Sequence, residues 1–250
     1  MFPIKNIFKV HFLVYFFSLF AILMGRFQEY IVISVLILIH ELGHFSCAYI
    51  LGVEVDHIYI YPLGGISKFH LDIHSSPLKE LLILVMGPIF QFVGAFLLTI
   101  FFPHKIVFSI HYGILLFNLL PIYPLDGGRI IHLILSLFVP YRKSFYLSIG
   151  FSYLLTMIIL FCHTSLSVNM ILLYIILVYL IRKEELKISF YYQKFLLERY
   201  LKRPMYSKIK YISNPLSFYR YFYNIIFFKN NIMREEEYLQ KKYGNFRKNY

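Results

Sequence analysis

Residues 30–51 read YIVISVLILIHELGHFSCAYIL, an apolar run of 22 residues. A bilayer core of about 30 Å takes roughly 20 helical residues to cross, so the run is long enough to span a membrane. Three ionisable side chains, His40, Glu41 and His44, lie inside it. Charge at that depth is costly unless it is paired or coordinated, so the run predicts a membrane helix that carries a functional group.

The two histidines of this run are four residues apart. In a helix that spacing stacks both imidazoles on one face, one turn apart, where they can bind one metal ion. Glu41 lies beside them, in position to accept a proton from a water that the metal activates. The alternative is a set of hydrogen-bonded polar residues in the protein interior, without a metal.

A third ligand is predicted in residues 118–129, which read NLLPIYPLDGGR. The two prolines and two glycines interrupt a helix, and irregular backbone at membrane depth is tolerated only where it faces protein or a wet cavity. Of the three aspartates, only Asp126 lies in such a segment, since Asp56 and Asp72 flank a predicted hairpin. Asp126 would complete a zinc site with a fourth position open for water. The alternative is an aspartate that only caps the next helix.

Hydrophobic residues make up 59% of the 250-residue chain, and its mean hydropathy is +0.64. This composition indicates an all-α polytopic membrane protein with about six transmembrane helices. The predicted spans are 7–24, 30–51, 78–102, a span that begins near 106 and is broken at 121–128, 145–161 and 168–181.

A membrane-associated β-hairpin is predicted at 53–69, where β-branched and aromatic residues alternate around a turn at Pro62-Leu-Gly-Gly65. The hairpin follows the zinc helix directly, and an extended substrate could add to its first strand. The backbone groups of Ile58 and Ile60 would then pair with the substrate. The alternative is a packed interfacial loop.

Basic residues are concentrated at the C-terminal end. Residues 182–250 hold 16 of the 25 Lys and Arg against six Glu, which is +10 of the net charge of +12. A basic region can indicate nucleic acid, but the positive-inside rule predicts this one without such a partner. We therefore expect a transmembrane domain with the metal site at 1–181 and a short basic cytosolic tail at 182–250. Both termini would be cytoplasmic, with membrane lipid as a partner and no direct contact with nucleic acid.

The order His40-Glu-Leu-Gly-His44, then Asn118-x-x-Pro-x-x-Pro-Leu-Asp126-Gly-Gly, resembles the site-2 protease family of intramembrane zinc metalloproteases. Gly87-Pro88 and the stretch Phe195–Tyr200 extend the similarity over about the first 205 residues. The resemblance implies one Zn²⁺ per chain, bound by His40, His44 and Asp126, with Glu41 as the base. It also implies that Asn118 and Pro124 help to hold the substrate strand.

The resemblance is strongest to members that act in endospore-forming bacteria. It implies that the substrate is the precursor of sigma-K, whose pro-segment is removed, and that the enzyme lies in the mother-cell membrane around the forespore. Inhibitory membrane proteins would be further partners. Such members carry a nucleotide-binding CBS domain after the last span, whereas residues 201–250 lack the expected strand pattern. The resemblance therefore leaves open whether ATP regulates this chain.

Two other functions are compatible with a metal site in a membrane. In a metal transporter the same ligands would form a transit site, but Glu41 between the two histidines would then be unexplained. A catalytically inert membrane scaffold is disfavoured because every group needed for hydrolysis is present. The sequence therefore predicts an intramembrane zinc endopeptidase.

Overall fold

The apolar run with the two histidines forms a long helix, α2 (Phe27–Ile50). The computed structural model describes residues 8–10, 13–61, 64–70, 75–162, 168–228 and 231–244. In chain order the other elements are β1 (Phe8–Val10), α1 (Leu13–Leu23), β2 (Glu54–Tyr61), β3 (Gly64–His70), α3 (Pro77–Leu98), α4 (His104–Leu119), α5 (Asp126–Phe138), α6 (Tyr141–Cys162), α7 (Val168–Glu185), α8 (Ile188–Lys202), β4 (Ile209–Ile212), β5 (Tyr223–Phe228), β6 (Asn231–Arg234) and α9 (Glu235–Tyr243).

Among the described residues, three helices are long and apolar enough to cross a membrane: α2, α3 and α6. They correspond to the spans predicted at 30–51, 78–102 and 145–161. Helix α4 has 16 residues, and α7 ends in four charged residues, so neither is in this set. The count of six spans therefore stays a prediction, while the membrane character of the chain is clear from the three.

The first predicted span is wrong in form. Its first residue lies outside the described residues, Phe8–Val10 is a strand, and α1 has only 11 residues. A helix of that length rises roughly 16 Å, about half the thickness of the bilayer core. Aromatic and β-branched residues suit a strand as well as a membrane helix, and pairing with a distant strand decides between the two.

The predicted hairpin is confirmed, because β2 and β3 pair in antiparallel register from Tyr61 with Gly64 to Glu54 with His70. Its turn residues 62 and 63 lie outside the described part of the chain. The sheet also contains β1, which pairs in parallel with β2. The strand order β1-β2-β3 puts β2 in the middle.

The chain divides into two units, Met1–Leu119 and Leu120–Tyr250. In the first, α2 packs closely on α3 through glycines. A Cβ on Gly43 would overlap the carbonyl oxygen of Met86, and a Cβ on Gly94 would lie 2.6 Å from the side chain of Ile39. Small residues let helix backbones approach in this way in membranes. The approach brings the histidine face of α2 against α3.

In the second unit, α6 and α8 pack through aromatic rings. The ring of Tyr141 lies 4.5 Å from that of Phe195, and the ring of Phe145 lies 5.4 Å from that of Tyr191. The buried hydroxyls of α6 donate to carbonyls of the preceding turn, which satisfies them inside the protein. These hydroxyls belong to Ser144, Ser148, Ser152 and Thr156.

The region after α8 is folded, in contrast to the tail that the sequence predicts. Strands β4, β5 and β6 form a sheet with a parallel and an antiparallel pair, and α9 follows. The guanidinium of Arg199 in α8 is buried and bonds to residues of this region. Its Nε donates to Glu235 over 2.8 Å, and its Nη atoms donate to the carbonyls of Tyr219 and Phe222. The sequence does not predict these strands, because Tyr, Lys and Asn interrupt their apolar alternation.

Candidate metal centre

The buried face of α2 carries both histidines. Val32, Leu36, His40 and His44 follow one another at intervals of four residues, so they share one stripe of the helix. His40 and His44 are only 3% and 4% exposed. Their rings are 4.7 Å apart and nearly perpendicular. The predicted stacking of two imidazoles on one helix face is therefore present.

The backbone of α3 orients the ring of His44. Its Nδ1 lies 2.7 Å from the carbonyl oxygen of Ile83. A carbonyl only accepts hydrogen bonds, so Nδ1 carries the hydrogen, and in the neutral imidazole that binds a metal Nε2 keeps its lone pair.

A side chain of α3 orients the ring of His40. Its Nδ1 lies 3.0 Å from Oε1 of Gln91, which is fully buried. An amide oxygen also only accepts, so the Nε2 of His40 keeps its lone pair as well.

The two Nε2 atoms converge at a separation of 3.1 Å. Two lone pairs at that distance repel each other unless a cation lies between them. Two nitrogen ligands of a tetrahedral zinc, each about 2.0–2.1 Å from the metal, are about 3.3 Å apart. The donor set and its spacing therefore fit zinc.

Asp126 supplies the third candidate ligand. One potential ligand atom from each of His40, His44 and Asp126 lies within 4.8 Å of the others, and all three residues are buried. Asp126 is the first residue of α5, where the helix N-terminus favours a carboxylate. His40, His44 and Asp126 thus form a candidate metal-binding site, as the sequence predicts.

A short break between α4 and α5 precedes Asp126. Its backbone is held by the amide of Tyr123, which donates to Oγ of Ser152 over 2.8 Å. A Cβ on Gly128 would overlap the backbone of Ile122 and Tyr123, so the first turn of α5 rests directly on the break. Glycine at this position therefore fixes where α5, and with it Asp126, begins.

Three further predicted site residues, Glu41, Asn118 and Pro124, are half-buried. Glu41 follows His40 on α2, Asn118 lies in the last turn of α4, and Pro124 lies in the break before α5.

The free strand edge predicted at Ile58 and Ile60 is not present. Ile58 faces Phe8 of β1 on one side and Ser67 of β3 on the other. Ile60 likewise lies between a residue of β1 and one of β3. Because both sides of β2 are occupied within the chain, an extended substrate cannot add there while β1 is paired. The sequence pattern could not reveal this, since the paired residues of β1 and β2 are 50 positions apart in the chain.

Two residues of α3 contribute to the centre in ways that the motifs do not indicate. Gln91 bonds His40, and a Cβ on Gly87 would overlap the ring of His44 and lie 3.0 Å from Nε2 of His40. A signal existed for Gln91, because an amide within an apolar helix is costly unless it is bonded. The sequence did not reveal which group it bonds.

The first prediction concerns metal content. Purified protein is expected to hold about one zinc per chain, measured by atomic absorption. His44→Ala or Asp126→Ala removes one of three ligands and is expected to lose most of that zinc, because metal affinity depends on the full ligand set. Full zinc retention by the double variant His40→Ala/His44→Ala would exclude this site.

The comparisons with known proteins agree with this geometry. Residues 28–114 match Peptidase family M50. The chain is 30% identical over 194 residues to Stage IV sporulation protein FB of Bacillus subtilis, which covers 72% of this chain and 66% of that protein. It is 33% identical over 156 residues to a zinc metalloprotease of Methanocaldococcus jannaschii, which covers 58% of this chain and 44% of that protein.

A solved structure of a site-2 protease has a similar fold. The site-2 protease from Methanocaldococcus jannaschii aligns with a TM-score of 0.57 at 27% identity, over 74% of this chain and 93% of that chain. The chain spans about two thirds of the first curated relative and less than half of the second. Together the matches show that the chain belongs to peptidase family M50, the site-2 protease family.

Proposed function

We propose that the chain is an intramembrane zinc endopeptidase that cleaves a membrane-associated protein. The observation that supports this most directly is the pair of converging Nε2 atoms on α2, 3.1 Å apart, with Glu41 on the same helix. His40, His44 and Asp126 would hold the zinc. When bound, zinc polarises the scissile carbonyl and makes water a stronger nucleophile.

Glu41 acts as the general base and acid. It is adjacent to a ligand and half-buried, so its carboxylate can accept a proton from the attacking water and deliver it to the leaving amine. The hydrogen bonds at both Nδ1 atoms keep the imidazoles from turning during these transfers. Fixed groups of this kind lower the cost of reorganisation in the transition state.

The substrate is extended at the cleavage point, because a helical peptide bond is shielded by its own hydrogen bonds. Asn118 and Pro124 hold this strand. Asn118 offers a side-chain amide in the last turn of α4, and Pro124 lies in irregular backbone whose carbonyls are not committed to a helix. Irregular backbone at membrane depth suits a polar path for substrate and water.

The specific substrate we propose is the sigma-K precursor, and the reaction removes its N-terminal pro-segment. The 30% identity to Stage IV sporulation protein FB supports this choice. The enzyme lies in the mother-cell membrane around the forespore, and inhibitory membrane proteins regulate it. Residues 1–181 form the transmembrane domain, and residues 182–250, with a formal charge of +10, face the cytoplasm.

Co-expression in a heterologous host tests the proposal. A tagged sigma-K precursor is expected to shorten when the wild-type chain is present and to stay intact with His40→Ala/His44→Ala. Electrophoresis measures the change in size, and N-terminal sequencing locates the cut. If the precursor stays intact beside zinc-loaded wild-type protein, sigma-K precursor is not the substrate, and a panel of other membrane-associated precursors then tests the protease activity itself.

A further inference from the structure

We propose that Gln91 is a positioning residue that fixes the tautomer and ring orientation of His40 for metal binding. The inference rests on the proposed zinc site and extends it to a side chain outside the ligand set. Gln91 lies in the middle of α3, an apolar helix, and is 0% exposed. An amide at such a position is costly unless all its groups are bonded, and here each one is.

The contacts of Gln91 determine which way its amide points. Its Nε2 lies 3.1 Å from the carbonyl oxygen of His111 in α4. That oxygen only accepts, so the amide nitrogen must be the atom that faces it. Oε1 therefore faces Nδ1 of His40, at 3.0 Å.

The tautomer of His40 follows from this orientation. Oε1 can only accept, so Nδ1 of His40 donates and Nε2 keeps the lone pair that a metal requires. Nε2 of Gln91 is also 3.3 Å from Nδ1 of His111, which accepts in turn. One chain of hydrogen bonds thus runs from α4 through α3 to the ligand on α2.

The surroundings of His111 hold its end of this series of hydrogen bonds in place. It is fully buried, and its ring packs edge-on against Phe92 and Phe108, with centroids 5.8 and 6.3 Å away. Because both His111 and Gln91 are shielded, bulk water does not compete for these bonds. The amide is therefore held in one orientation.

The two histidines differ in how they are held. A backbone carbonyl orients His44, whereas a side chain orients His40. A side-chain substitution cannot remove a backbone carbonyl. A change at Gln91 thus acts on one ligand and leaves the other in place. Residues that orient a metal-bound histidine typically contribute 10–100-fold in metal affinity, so about this effect is expected here.

The test compares two variants of the full chain in detergent, with zinc affinity measured by chelator competition. Gln91→Leu keeps the approximate volume but removes the acceptor, and about 10–100-fold weaker binding is expected. Gln91→Glu keeps an oxygen that accepts from His40, and its protonated form donates to the His111 carbonyl. It is expected to bind zinc within a few-fold of wild type. Gln28→Leu, the same change at an exposed position of α2, is the matched control.

A spectroscopic measurement separates positioning from a general loss of stability. With Co²⁺ in place of zinc, the visible absorption bands report ligand geometry, and they are expected to change in Gln91→Leu and to be preserved in Gln91→Glu. Equal zinc affinity and equal Co²⁺ spectra in wild type and Gln91→Leu would overturn the inference. So would an equal loss of affinity in both Gln91 variants.

Failure of the inference and failure of the proposed function give different results. If wild-type protein binds no zinc, the proposed function fails. If it binds zinc and Gln91→Leu binds as tightly, only the role of Gln91 fails. Should Gln91→Leu not insert into the membrane, Gln91→Met repeats the test with a flexible side chain of the same length that lacks the amide oxygen.

Discussion

Glu41→Gln is expected to lose nearly all cleavage while keeping about one zinc per chain. Glutamine has the same shape as glutamate but cannot accept a proton at neutral pH, so proton transfer from water to the leaving amine is lost. General acid–base catalysis typically contributes 10²–10⁴-fold, and the rate is expected to fall by about that factor. Cleavage is measured by the size of a tagged precursor and zinc by atomic absorption.

Glu29→Gln is the matched control, since Glu29 lies in the first turn of the same helix, three turns from the metal centre. It is expected to cleave normally. Near-normal cleavage by zinc-loaded Glu41→Gln would mean that another group is the base. A metal transporter predicts a different pattern, because in that case zinc movement into vesicles would persist in Glu41→Gln.

Gly87→Ala is expected to remove zinc binding and, with it, cleavage. A methyl group at this position would overlap Cε1 and Nε2 of His44 and lie 3.0 Å from Nε2 of His40. The ring of His44 cannot simply turn away, because its Nδ1 is bonded to the carbonyl of Ile83 and the side chain is buried. The metal-binding atoms must therefore move apart, and we expect zinc affinity to fall by about 100-fold, measured by chelator competition.

The chain supplies a control for this change. Gly113 lies in α4, and a Cβ there would meet no atom within 4 Å. Gly113→Ala is therefore expected to keep full zinc affinity and, because alanine favours helix over glycine by about 1 kcal/mol, to be at least as stable. Wild-type zinc affinity in Gly87→Ala would show that α3 does not confine the two rings.

Much of the candidate site follows from sequence because its spacing is local. Two histidines four apart in an apolar run share a helix face whatever surrounds them, and Asp126 is distinguished by the broken segment before it. Gln91 and Gly87 belong to the same centre through the packing of α3 on α2, about 50 residues from His40 in the chain. No local pattern encodes that pairing.

The difference between local patterns and long-range contacts also explains which elements of the fold the sequence predicts. Helices α2, α3 and α6 and the β2–β3 hairpin are visible as continuous apolar or alternating runs. Strand β1 is not, because the three residues Phe8-Lys-Val10 form no recognisable pattern and become a strand only when β2 pairs with them. Strands β4–β6 are not visible for a related reason, since Glu235, which accepts from the amide of Asn224 in β5, pairs with Arg199, 36 residues away in the chain.

The buried Arg199 has a consequence for the lifetime of the protein in the cell. Its counter-charge and the carbonyls that accept from it are all supplied by residues 219–235. A premature stop between Tyr206 and Tyr219 would remove every one of them together and leave a cation beside the rings of Phe195 and Tyr206. Losing the partner of a buried charge costs about 3–5 kcal/mol, a large part of the stability of a small domain. Such a truncation would therefore destabilise α8 and lower the abundance of the whole protein in the cell, instead of leaving a shortened but stable enzyme.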